Sequence, residues 1–192
     1  PPQEPLYARP AEGGPPRRRL MLGAAATAAV GAFGTLGLPR RAAALQAGQT
    51  IPSLMLDTAE GPQPIAPARA RVTYVDFWAS WCGPCRQSFP WMNEMHAKYG
   101  GDGLRIVAVN VDARRDEADE FLARNPARFA IAFDRQRALA QAVEVKAMPT
   151  SLLVDPRGRV LLVHQGFAGK DREKLEASIG QALREGGGAP RS

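Results

Sequence analysis

Cysteine and histidine are both scarce, two of each in 192 residues. Two cysteines cannot build a disulfide framework, so the fold must rest on its own apolar core. A tetrahedral zinc site drawn from these residues would need all four. His96 and His164 lack the spacing of finger ligands, so no structural metal is expected. Long, strongly apolar runs are missing too. The uncharged stretch Leu20 to Leu38 is mostly Ala and Gly, and nothing points to a polytopic membrane protein. A large charge excess is absent from the main body of the chain. Of the formal +6, six basic and two acidic residues fall before Leu45, which leaves 19 and 17 from Leu45 onward, a net of +2. That part has no lysine-rich run and no wholly basic helix face, so no nucleic-acid partner is expected.

What is present is ordinary globular material, 45% apolar and 23% charged, enough for one domain and a leader. Residues 1–19 are rich in Pro, Gly and Arg without periodicity, as in a disordered segment. Arg17-Arg18-Arg19, the mild apolar stretch Leu20 to Leu38, and Ala42-Ala43-Ala44 follow in the order of an export signal. The Arg17-Arg18 pair resembles a twin-arginine signal, although a proline stands where that signal usually has a hydroxyl residue. The alternative is a retained membrane anchor, since nineteen uncharged residues can just cross about 30 Å of hydrocarbon. Both readings place the domain outside the cytoplasm. The expected division is a leader over 1–44, a domain over 45–185 and a loose tail over 186–192.

Within the domain the apolar periodicity changes repeatedly between strand and helix. Ile51 to Leu56 is a short apolar segment, followed by turn signals at Gly61-Pro62 and Pro64. Val72 to Trp78 is β-branched and aromatic and predicts a strand. Phe89, Met92, Met95 and Tyr99 recur at helical spacing from about Gly83, with Pro84 in the first turn and Pro90 inside, where it should kink the helix. Leu104 to Val111 reads as a central parallel strand. Helices are expected over Asp116 to Arg124 and Gln136 to Val143, with a strand over Phe129 to Phe133 between them. Thr150 to Val154 and Arg159 to His164 predict a hairpin. Leu175, Ile179, Ala182 and Leu183 mark a last helix. The order βαβαβαββα, with a strand or hairpin in front, implies an α/β fold with helices on both faces of a central sheet.

Cys82 and Cys85 lie at the junction between a strand and a helix. Two intervening residues let the sulfurs meet across one turn. A cysteine at a helix N-terminus is favoured as thiolate, and its pKa should fall from ~8.5 to ~7. Cys82 is then the nucleophile that attacks a disulfide, and Cys85, one turn further in, resolves the mixed disulfide. The pair alone has other uses. Haem attachment would need a histidine where Arg86 stands, whereas a Cu(I) site from two thiolates stays open.

Val75-Asp76-Phe77-Trp78-Ala79-Ser80-Trp81-Cys82-Gly83-Pro84-Cys85 resembles the active-site segment of thioredoxin. Pro90 matches that family's helix proline, and Met148-Pro149-Thr150 resembles its cis-proline loop. The resemblance spans about Ile51 to Leu183. The longer insert through Val107-Ala108-Val109-Asn110-Val111-Asp112 and Phe133-Asp134 is more similar to the exported TlpA and ResA type. A peroxiredoxin is disfavoured, because the Pro and Thr that precede its cysteine are missing.

The resemblance implies a thioredoxin fold with a central mixed sheet, an N-terminal extension and a central insert. It implies a thiol-disulfide oxidoreductase that needs no cofactor beyond the Cys82–Cys85 disulfide. Asp76 would be a buried carboxyl that accepts the Cys85 proton, unless it is an exposed or salt-bridged strand residue. Pro149 would be cis, with Met148 holding an extended substrate, unless it merely starts a strand in trans. Trp81, Gly83 and Pro84 would complete the substrate surface, Trp78 would be packing and His96 a boundary residue. The implied partners are protein disulfides, as in apocytochrome c or copper-site cysteines, and a membrane thiol reductase as electron donor. Gly83-Pro84 resembles the dipeptide of reducing members. An oxidase or isomerase on the same fold is the alternative.

Overall fold

The computed structural model describes residues 45–52, 55–67 and 69–186. The leader expected over 1–44 and, apart from its first residue, the tail expected over 186–192 lie outside these. Among the described residues seven strands form one mixed sheet: β1 (Met55–Thr58), β2 (Gly61–Pro64), β3 (Val72–Trp78), β4 (Leu104–Asn110), β5 (Ala130–Phe133), β6 (Thr150–Val154) and β7 (Val160–Gln165). Four α-helices accompany them: α1 (Cys85–Tyr99), α2 (Arg115–Arg124), α3 (Ala138–Ala142) and α4 (Arg172–Arg184). The strand order is β2-β1-β5-β4-β3-β6-β7. β3, β4 and β5 run parallel, and β6, β7, β1 and β2 are antiparallel to their neighbours.

β3 is buried along its whole length because both faces are covered. Its even-numbered residues Val72, Tyr74 and Trp78 join Phe89, Trp91, Phe121, Leu175 and Ile179 in a core with α1, α2 and α4. Its odd-numbered residues Val75 and Phe77 join Val107, Val109, Leu139 and Leu152 in a second core that includes α3. The period-2 alternation of a strand thus divides one segment between two cores. Trp78 holds the first together, with Phe89 at 5.0 Å and Phe121 at 4.7 Å between ring centroids. Each such ring contributes roughly 2–3 kcal/mol by burial.

The main departure from the sequence reading lies at the front of the domain. Pro62 and Pro64, taken as turn markers, sit in β2, paired with Asp57 and Met55. β2 is the outermost strand, where the missing N–H of proline costs no ladder bond. The turn itself lies at Ala59–Glu60 and leads into Gly61, whose φ of +96° favours glycine. The helix expected over Gln136 to Val143 is shorter, starting after Arg137 in a left-handed conformation (φ 56°). Pro90 lies inside α1, which continues unbroken to Tyr99.

Candidate active site

β3, in the interior of the sheet, ends at Trp78, and a short link carries the chain from there to α1. Asp112, just past β4, organises that link. Its buried carboxylate accepts the Ser80 backbone N–H at 2.8 Å and the Ser80 hydroxyl at 3.3 Å. Asn110 donates to the same carboxylate at 2.8 Å and accepts the Asp112 backbone N–H at 3.1 Å. Cys82 then closes a tight turn, its N–H donating to Ala79 at 3.0 Å.

Cys82 and Cys85 are joined by a disulfide, with S–S 2.01 Å and Cα–Cα 5.4 Å. Cys82 keeps 2% of its surface exposed and Cys85 none. α1 begins at Cys85 with Pro84 at its cap, so Cys82 lies one turn ahead of the helix rather than in it, and Cys85 is the first helical residue. The polarising contact is a single one: the Cys85 backbone N–H donates to Cys82 Sγ at 3.2 Å. Gly83 and Pro84, between the two, are exposed.

Asp76 lies on the face of β3 that α1 covers, between Tyr74 and Trp78 in the strand alternation. It is fully buried. Ser151 on β6 donates its hydroxyl to Asp76 Oδ1 at 2.6 Å, while Oδ2 has no partner. Burial raises the carboxyl to about 7, against the opposing pull of the Ser151 hydroxyl. The exposed or salt-bridged alternative for this residue does not hold.

Pro149 follows a cis peptide bond after Met148 and leads into β6. Met148 and Trp81 line one cleft of about 690 Å³, together with Val111, Ala140 and Gln141 of α3, and the flanking Arg137 and Glu144 to Ala147. Trp81 stands 63% exposed at this cleft, whereas Trp78 is buried packing. His96 is half-buried on α1, away from this cleft. Among the described residues no cluster of three or more His, Cys, Asp or Glu is placed to hold a metal ion.

Three contributors escaped the sequence reading. Ser151 and Asp112 act through contacts made 75 and 32 residues away in the chain. α3 supplies a cleft wall that no local motif announces. Only the Asn110-Val111-Asp112 run gave a signal, and it pointed to the branch of the fold rather than to a role for Asp112.

The Redoxin family model matches residues 46–179. Over 137 residues the chain is 33% identical to the thiol-disulfide oxidoreductase ResA of Geobacillus thermodenitrificans, which covers 70% of this chain and 79% of that protein. ResA of Bacillus subtilis is 28% identical over 120 residues, 62% of this chain and 67% of that one. A Chlorobium tepidum protein whose crystal structure is assigned as a thiol:disulfide interchange protein, DsbE, superposes with a TM-score of 0.70. It shares 48% identity and covers 73% of this chain and 99% of its own. The cysteine pair, the mixed sheet and these similarities agree: the chain belongs to the Redoxin family and is a thiol-disulfide oxidoreductase of the TlpA/ResA type within the thioredoxin superfamily.

Proposed function

We propose that the protein works as a reductant of disulfides in exported proteins, on the far side of the cytoplasmic membrane. Apocytochrome c and copper-site cysteines are the substrate types that the resemblance suggests. Cys82 is the nucleophile. Its thiolate attacks one sulfur of the substrate disulfide, forms a mixed disulfide and releases one substrate thiolate. Cys85 then gives its proton to Asp76, and the resulting thiolate attacks Cys82 Sγ. The Cys82–Cys85 disulfide forms and the second substrate sulfur leaves as thiolate. Two electrons pass from the dithiol to the substrate. A membrane thiol reductase must return them for the next cycle.

The observation that carries the assignment of Cys82 as nucleophile is the Cys85 N–H aimed at Cys82 Sγ; the reducing direction rests on the Gly83-Pro84 resemblance. A donor at that sulfur stabilises its thiolate, both as attacking group and as leaving group, and among the described residues no hydrogen bond reaches Cys85 Sγ. The buried Asp76, raised to about 7, supports a proton acceptor poised near neutral pH. Trp81 and Met148, together at the cleft, support a docking surface for an extended polypeptide, to which the resemblance adds Gly83, Pro84 and Pro149. The export-signal pattern in residues 1–44 supports the location, with the domain proper over 45–185.

A redox titration against glutathione or dithiothreitol tests the direction. A potential near about −270 mV supports the reductant, and one near about −120 mV supports an oxidant.

A further inference from the structure

Asp76 is a buried carboxyl, and among the described residues no cation stands beside it. Its cross-strand neighbours are Ala108 on β4 and Ser151 on β6. Ala108 offers no polar side-chain atom. Ser151 donates to Oδ1 at 2.6 Å, and both residues are buried. Oδ2 is left without a partner.

The other groups on this face do not replace that contact. Tyr74, two residues back on β3, is buried, and its phenol is pushed well above its ordinary value by burial and then by Asp76, against the opposing pull of the Ser151 hydroxyl. His164 on β7 is the cross-strand neighbour of Ser151 and lies 3.8 Å from Asp171. α1 brings Cys85 and Ser88, whose hydroxyl donates to the Cys85 carbonyl at 3.1 Å, and the link ahead of it brings Cys82. From α2 and α4 the buried side chains are Ala118, Phe121, Leu175, Ile179, Ala182 and Leu183, all uncharged.

We propose that Ser151 is a positioning residue for the exchange reaction: its hydroxyl pins one oxygen of Asp76 and leaves Oδ2 as the oxygen that takes the proton from Cys85. The proposal rests on the reading of Asp76 as proton acceptor. In the step, the Cys85 S–H bond breaks and an O–H bond forms at Oδ2. The electron pair stays on sulfur, which attacks Cys82 of the mixed disulfide. A buried carboxylate with neither oxygen bonded would be strongly disfavoured, so the hydroxyl keeps the charged form accessible. It also fixes the carboxyl plane, so the free oxygen need not be reoriented during the step. Ser151 stands on β6 two residues beyond Pro149, so a well-packed strand holds the donor in place.

The test follows the Asp76 carboxyl 13C resonance against pH in the oxidised full chain, where neither cysteine titrates. The proteins compared are the parent, Ser151→Ala and Ser151→Thr. Loss of the hydroxyl should raise the midpoint by about one unit, and threonine should restore it. The pH profile of insulin reduction should move in the same direction in Ser151→Ala. An unchanged midpoint in Ser151→Ala overturns the proposal. An Asp76→Asn variant that exchanges at the parental rate overturns instead the reading it rests on. That case is recognised because the midpoint still moves in Ser151→Ala.

Discussion

Asp112 accepts the backbone N–H of Ser80, two residues ahead of Cys82, at 2.8 Å, and thereby ties the end of β4 to the segment that presents the disulfide. The same buried carboxylate collects the Ser80 hydroxyl and the Asn110 amide. Asp112→Ala leaves those donors unpaired in a closed region and should cost about 2–4 kcal/mol. Urea denaturation of the oxidised protein measures it. A loss below about 0.5 kcal/mol means that the link is held by something else.

Removing either sulfur separates the roles of the two cysteines. Cys82→Ser should abolish insulin reduction. Cys85→Ser should accumulate mixed disulfides, because the resolving thiol is gone. Mass spectrometry of trapped adducts from the native compartment identifies the substrate. Trapping by Cys82→Ser alone would reverse the assignment.

The raised Asp76 carboxyl has a stability consequence with a definite sign. Its ordinary value is 3.8 and its folded value about 7. Between those values the folded protein keeps a proton that the unfolded chain has released. Stability therefore falls as pH rises through this window, and the loss is complete above about 7. The full effect is on the order of 4 kcal/mol. Asp76→Asn should make the oxidised protein more stable than the parent at pH 8, with the gain vanishing near pH 4. Equal stabilities at pH 8 would falsify the buried, ionisable assignment. The same variant should slow exchange by removing the proton acceptor.

Two tryptophans three residues apart in sequence should behave oppositely. Trp78→Ala opens a cavity between Phe89 and Phe121 and should cost about 3–5 kcal/mol. Trp81→Ala removes a side chain already 63% exposed and should change stability by less than about 0.5 kcal/mol. Its effect belongs in KM for protein substrates. A small disulfide such as dithiobisnitrobenzoate, too short to use the cleft wall, should be turned over at near parental rate.

The sequence by itself determined the chemistry and most of the frame. Cys82, Cys85 and their two-residue spacing are local facts. The mainly apolar β3 and β4, the stripe on α4 and the alternation of periods are also local, because strand and helix each repeat within a few residues. Asp76 and Pro149 were legible because they lie in recognisable segments. The tertiary structure decided what depends on strand pairing. Proline at positions 62 and 64 became edge strand once β2 was seen to be outermost. Ser151 became the partner of Asp76 only when β6 paired antiparallel with β3 in the register Asp76↔Ser151. A serine in a strand has no local mark that separates a solvent hydroxyl from one that holds a buried carboxylate. Asp112 and the α3 wall of the cleft are likewise products of distant segments meeting. Side-chain type is written residue by residue, but the partner that sets its proton affinity arrives from another strand.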